Sequence, residues 1–293
     1  MMRSLWSAAS GMIAQQTNLD NIANNLSNVN TTGYKKDTVE FKSLLYQTLQ
    51  SKSTNNTGEN KPIPAQVGLG TRTASITTVF TQGNLQAVDN QSYMAIEGDG
   101  FFKARNEDGD LCYTRDGSFN LMNTDDGVML CTSDGHPILD QNNNNIVIPK
   151  TYTVDGKEYK TTGQIYVNRE GDISFEYNDT DKNVQVKIPM TDTANGQNYN
   201  KKIGVVQFSN PSGLDQAGDN LYKETVASGA PIEESTNDGL KKSSVHQGYL
   251  EMSNVQVADE MVNMIVAQRA YEMNSKAIQA TDEMLQQANN LRR

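Results

Sequence analysis

The chain has 293 residues, 35 Asp and Glu against 25 Lys and Arg, and a formal net charge of −10. It is long enough to bury a sizeable core in one or two domains, and its acidity, with no basic stripe interleaved by aromatics, excludes nucleic acid as an expected partner. No apolar run approaches the ~20 residues of a bilayer span, so no membrane insertion is expected. Residues 1–16 lack the small-residue cleavage pattern of a secretory signal peptide, which leaves a cytoplasmic chain or one exported without a cleaved signal.

Residues 4–30 predict the first helix. Leu5, Met12, Leu19 and Leu26 stand seven apart, and Ala8, Gln15, Ile22 and Val29 follow three further on, an a/d pattern suited to a coiled-coil seam. Gly33, after Thr31-Thr32, is expected to end the helix in the left-handed conformation. Between residues 4 and 30 the only charge is Asp20, so this helix is expected to be covered or to line an enclosed space. Asn18, Asn21, Asn25 and Asn28 flank the seam at helical spacing. They read either as a solvated face or as amides that set register between packed helices, with Asn21 and Asn25 the candidates for that role.

Residues 34–66 read as an amphipathic stretch and an extended arm. Lys35-Lys36 is followed by Phe41, Leu44, Leu45 and Leu49, a pattern that suits a short helix, and residues 51–64 are polar with two prolines. From residue 67 the texture turns to β, with Thr, Ile and Val enriched over 71–80. Asp-Gly pairs recur at Asp99-Gly100, Asp108-Gly109, Asp116-Gly117, Asp126-Gly127, Asp134-Gly135 and Asp155-Gly156. Several lie about eight to ten residues apart, as short antiparallel strands require. Further strands are expected over 165–167, 173–177, 184–188 and 205–208, which makes residues 67–245 a β-rich domain. Cys112 and Cys131 each precede a tight turn in similar settings. Neighbouring strands are expected for them, as one disulfide or as two buried thiols.

Residues 253–291 predict the last helix, within a terminal segment 246–293. Ser253 and Gln256 have the spacing of a capping box, Asp259 and Glu260 suit the positive end, and Arg292 and Arg293 the other. One apolar row runs Val257, Met264, Tyr271, Ile278, Leu285. A second runs Val266, Ala270, Met273, Ala277, Ala280, Met284, Leu291, at roughly 120° to the first. A helix packed on one partner needs one stripe, so this one is expected to sit between neighbours and to order on assembly. The fold class is therefore α+β: N- and C-terminal helices, 1–33 and 246–293, pairing as a coiled coil around a central antiparallel β-rich domain.

Chemistry is thin. His136 and His246 have no metal-ligand spacing, Gly68-Leu69-Gly70 lacks a third glycine, and Asp179-Thr180-Asp181 fails as a calcium loop because Val184 and Met190 replace its glycine and glutamate. Arg115-Asp116-Gly117 reads as a hairpin turn with a flanking Arg. No catalytic residue, cofactor or metal is expected, and the chain is not read as an enzyme.

Three stretches carry a resemblance. Residues 22–35, Ile-Ala-Asn-Asn-Leu-Ser-Asn-Val-Asn-Thr-Thr-Gly-Tyr-Lys, form the first. Gln82-Gly83-Asn84-Leu85, Gly100-Phe101-Phe102 and Tyr113-Thr114-Arg115-Asp116-Gly117-Ser118-Phe119 form the second. Gly248-Tyr249-Leu250-Glu251-Met252-Ser253-Asn254-Val255, with Met264-Ile265, Gln268-Arg269-Ala270-Tyr271-Glu272 and Asp282-Glu283-Met284-Leu285, form the third. Together they resemble the bacterial flagellar rod and hook family of axial proteins, over about half the chain and in the right order. Within that family, Leu44-Leu45-Tyr46-Gln47-Thr48 is most similar to the distal-rod branch.

The resemblance implies export by the flagellar type III apparatus without a cleaved signal, a basal-body location in the periplasmic rod, and helical self-polymerisation into a hollow shaft. It also implies paired terminal helices lining the inner tube, an outward β domain, and a stiffening arm near residues 51–66. Implied neighbours are the proximal rod proteins, the hook protein and the bushing P and L rings. Residues 140–202 match none of its motifs. The candidate subunit-interface residues are Leu5, Met12, Leu19, Asn21, Ile22, Asn25, Leu26 and Val29, with Val257, Met264, Tyr271, Met273, Ile278, Met284 and Leu285. A proximal rod or hook subunit is the nearest alternative. A secreted β-rich adhesin would need an exposed aromatic platform, whereas the lone Trp6 lies in the first helix. A cell-wall hydrolase would need a carboxylate pair that the sequence does not select.

Overall fold

The computed structural model describes residues 2–50, 65–125, 127–154, 157–179, 184–189, 202–235, 239 and 241–291. It is α+β, with a helix at each end and antiparallel strands between them. The chain forms two units: Met1–Asn28, Lys36–Val79 and Val255–Arg293 make the first, Val29–Lys35 and Phe80–Asn254 the second.

In the first unit, helix α1 spans Met2–Ser27 and helix α2 spans Val257–Asn290. They pack antiparallel: Asn25 and Glu260 line one cleft, while Gly11 lies against Asn274. Both helices are shorter than their sequence patterns predict. At the end of α1, Ser27 Oγ and Asn28 Nδ2 donate to the carbonyls of Ala23 (2.9 Å) and Asn24 (3.0 Å), local bonds that compete with helix continuation. Gly33, six residues past that end, is left-handed at φ +68° but does not cap the helix. At the start of α2 the N-cap is Gln256, extended and without a side-chain cap, so the Ser253 capping box does not form. Asp259 and Glu260 do occupy the first turn, where the dipole favours them.

The stretch expected as a short helix is instead a β-ribbon. Strand β1 is Asp37–Ser43, β2 Tyr46–Gln50, β3 Ala65–Gly68 and β4 Thr71–Thr78. β1 pairs with β4 from Asp37↔Thr78 to Ser43↔Thr71, and β2 with β3 from Tyr46↔Gly68 to Gln50↔Ala65. Leu44 N donates to Gly70 O (2.9 Å) and Leu69 N to Leu45 O (3.2 Å), so the two ladders run on as one. Thr38, Val39, Phe41 and Tyr46 suit a pleated strand, and a partner strand nearly thirty residues away decides the matter. The ribbon meets α1 where Gly70, at φ +112°, packs on Ser7 and Ser10, and Thr71 N donates to Ser10 Oγ (3.3 Å). Most of the expected arm, residues 51–64, lies outside the described residues, as do Arg292 and Arg293.

The second unit holds the core. A six-stranded antiparallel sheet runs Asp215–Gly218, Leu221–Lys223, Leu111–Thr114, Phe101–Arg105, Val205–Gln207, Ile232–Glu233. A three-stranded sheet (Val147–Pro149, Gly127–Cys131, Asn120–Asn123) and a four-stranded one (Thr151–Val154, Lys157–Val167, Ile173–Asp179, Val184–Pro189) accompany it. Ser244–Gln247 pairs with Met94–Glu97, and Tyr249–Glu251 with Leu85–Ala87. Met94, Ile96, Phe102, Phe119, Ile138 and Phe175 belong to one buried cluster, and Phe101, Tyr113, Phe208 and Tyr222 to an aromatic one. Cys112 and Cys131 are free, buried thiols whose strands lie in different sheets, not side by side; burial pushes both thiols up from their ordinary pKa.

Candidate subunit interface

The face that α2 turns to α1 is only half apolar. Glu260, Ala267 and Thr281 are buried and Met264, Asn274 and Ile278 half-buried, an alternation of fours and threes typical of a packing seam. Of the row Val257, Met264, Tyr271, Ile278, Leu285, only Met264 and Ile278 are half-buried. The sequence pattern misses the other row, Glu260-Ala267-Asn274-Thr281, because those residues are small or polar; their strict seven-residue step was the available signal. On α1, Ala8, Ala14, Ile22 and Asn25 are buried, while Leu5, Met12, Leu19 and Leu26 are half-buried. Val29 is half-buried and belongs to the second unit.

Most of the remaining large apolar residues of α2 are exposed. Val257, Tyr271 and Leu285 are exposed, as are Met261, Val262, Ile265 and Val266. Met273 stands 68 % exposed and Met284 50 %. Trp6, Ile13, Leu45, Tyr46, Leu49 and Ile76 add to this surface of the first unit. Its buried apolar residues, among those described, are Ala8, Ala14, Ile22, Val255 and Ala267. This unit has little apolar interior and much outward apolar surface.

The asparagine row divides. Asn25 Nδ2 donates to Asp37 O (2.8 Å) and to Asn21 Oδ1 (3.1 Å), and Asn25 Oδ1 accepts from Asp37 N (3.0 Å). Asn25 thereby ties α1 to the start of β1. Asn18 and Asn21 line a cleft of about 300 Å³ with Ile22, Lys36, Val39, Phe41, Glu260, Asn263 and Val266.

Within the second unit, three charges meet away from water. Lys35 Nζ lies 2.6 Å from Glu251 Oε1, and Arg115 Nη1 3.5 Å from Glu251 Oε2, with all three side chains buried. Lys35 Nζ also donates to Thr81 O (2.9 Å), Gly83 N to Glu251 Oε1 (2.9 Å) and Gly33 N to Glu251 O (2.8 Å). Arg115 stacks 4.9 Å above the Phe101 ring. Desolvation pulls the Lys35 and Arg115 pKa values down, against the raising pull of Glu251. Beside them, Thr32 Oγ1 donates to Asp116 Oδ1 (2.8 Å), which also accepts from Ser118 N (3.0 Å). Arg115 is thus a structural anchor and not merely the flank of a turn. Of the histidines, His136 is buried and His246 Nε2 lies 2.7 Å from Glu97 Oε2. Among the described residues no His, Cys, Asp or Glu cluster of metal-binding size occurs.

Three family models match the chain: a flagellar basal body rod protein model over residues 5–35, a flagellar hook protein FlgE/F/G D1 domain over 95–175, and a flagellar basal body rod FlgEFG C-terminal model over 246–291. The flagellar basal-body rod protein FlgG of Borreliella burgdorferi is 46 % identical over 295 residues, covering all of both chains. Those of Buchnera aphidicola from Acyrthosiphon pisum (42 %, 99 % of this chain and all of the relative) and Bacillus subtilis (37 %, all of both) are similar over their full lengths. The chain belongs to the flagellar basal-body rod protein family. Each of the three rod and hook models contributes one charge to the buried cluster: Lys35 from the first, Arg115 from the second and Glu251 from the third. The D1 model also reaches residue 175, so part of 140–202, which carries none of the quoted motifs, belongs to the rod and hook pattern. As a flagellar rod protein, the chain has a structural role.

Proposed function

We propose that this protein is the structural subunit of the distal rod, and that copies pack through the first unit into a helical, hollow shaft. The shaft transmits torque to the hook and passes exported subunits along its bore. Its neighbours are the proximal rod proteins, the hook protein and the P- and L-ring bushings. The chain reaches the periplasmic part of the basal body through the flagellar export apparatus. Its work is mechanical and calls for neither cofactor nor catalytic residue. Leu44-Leu45-Tyr46-Gln47-Thr48 supports the distal position over the proximal rod or hook.

One observation carries this reading. The second unit buries two clusters of large apolar side chains, whereas the first buries few and turns Val266, Met273, Met284 and their neighbours outward. Each such side chain, once covered, contributes about 1.5–3 kcal/mol, so many modest contacts per subunit make a stiff assembly. A head-to-tail contact that does not close generates a filament. Negative-stain imaging and sedimentation of the concentrated full chain, beside Val266→Glu and Met273→Glu, test it. Rod-like particles are expected from the unaltered chain and a dispersed, normally folded chain from the variants; equal polymerisation of the variants overturns the reading.

A further inference from the structure

The two ends of the α1–α2 pair are complementary to each other. Near the start of α1 stands Trp6, the only tryptophan of the chain, 71 % exposed. Arg3 is exposed one turn before it, on the same helix face, and the helix N-terminus adds positive potential there. The cleft lies at the other end of the pair, about 24 Å further along α1 at 1.5 Å per residue. Ile22, Val39, Phe41 and Val266 supply its apolar lining, and Asp37 and Glu260 outnumber Lys36 among its charges. The Glu260 side chain is almost fully buried, and Lys36 Nζ approaches it only to 3.9 Å.

We propose that Trp6 of one copy inserts into this cleft on a second copy. The indole covers Ile22, Phe41 and Val266, its N–H donates to the carboxylate and amide oxygens of the lining, and Arg3 lies toward Asp37 and Glu260. Within one copy the knob and the socket are held apart by rigid helix, so only another copy joins them. Where such a contact is not returned by the same pair of copies, it is heterologous and passes from copy to copy along a filament. A lone exposed tryptophan facing a fitted cleft is also the kind of residue that dominates interface energetics.

This inference rests on the assembly reading, and the experiment separates the two. Trp6 is its own probe: emission and acrylamide quenching are followed in the full chain as particles form by sedimentation. The expected result is water-exposed emission in the dilute chain, then a blue shift and loss of quenching in the particles. Particles whose Trp6 is quenched as in the dilute chain overturn the inference and leave assembly standing. Failure to form particles at any concentration overturns both. Independently, full chains carrying Arg3→Cys and Thr38→Cys, with Trp6 intact, are mixed and oxidised. A disulfide between the two variants is expected; dimers of the Arg3→Cys chain alone, or none, overturn the contact.

Discussion

Glu251 stands between two buried cations and also accepts a backbone N–H from Gly83, so its removal leaves Lys35 and Arg115 charged and without their carboxylate in a site closed to water. Breaking a buried ion pair from one side typically costs about 3–5 kcal/mol. Glu251→Gln is expected to lower unfolding stability by that order in urea titrations followed by circular dichroism; a loss below about 1 kcal/mol would show that the cluster stabilises little. Gly33 is the other sensitive residue. Its φ is +68°, and an added Cβ would stand 2.6 Å from the Asp116 backbone nitrogen. Gly109 has a similar φ of +88° with nothing within 4 Å. Both alanine variants carry the left-handed strain, but only Gly33→Ala meets backbone. It should cost at least about 1 kcal/mol more than Gly109→Ala in the same titration.

At the scale of elements, the α1–α2 crossing depends on small side chains. A Cβ on Gly11 would approach the Asn274 amide nitrogen at 3.0 Å, the movable end of a flexible group. Gly11→Ala combines that mild crowding with a helix-propensity gain of up to about 1 kcal/mol and is expected to be near neutral. Gly11→Leu has no room and is expected to separate the helices, read as loss of helical circular dichroism at temperatures where the unaltered chain keeps it. α2 itself carries more apolar surface than α1 covers, since Val266, Met273 and Met284 stay exposed beside the buried Ala267 and Thr281. Amide exchange across Met261 to Met284 is therefore expected to be fast in the dilute chain and strongly slowed in particles. Strong protection in the dilute chain would show that α2 needs no neighbours.

At the scale of the whole molecule, the division of labour is chemical. The second unit buries aromatic and aliphatic clusters as an ordinary β domain does, and the first exports its apolar surface. Charge is placed accordingly. Between residues 4 and 30 the only charged side chain is Asp20, so covering α1 in the proposed assembly carries little desolvation cost. The chain segments at the edges of the second unit, Lys35, Thr81 and Glu251 to Asn254, are bonded to one another, with Asn254 Nδ2 donating to Thr81 O at 3.2 Å.

The sequence alone determined the two helical ends, the β-rich middle and the family. These are legible because heptad rows, Asp-Gly turns and short signatures are local, and local patterns survive without knowledge of partners. Tertiary structure alone decided the rest. The ribbon over Asp37–Gln50 exists because a distant strand supplies its hydrogen bonds. The Ala267–Asn274–Thr281 row packs because close helix approach selects small size, which a hydrophobicity pattern does not register. The charge cluster joins residues 216 and 136 positions apart, and no pattern along the chain says which few of sixty acidic and basic side chains burial will bring together.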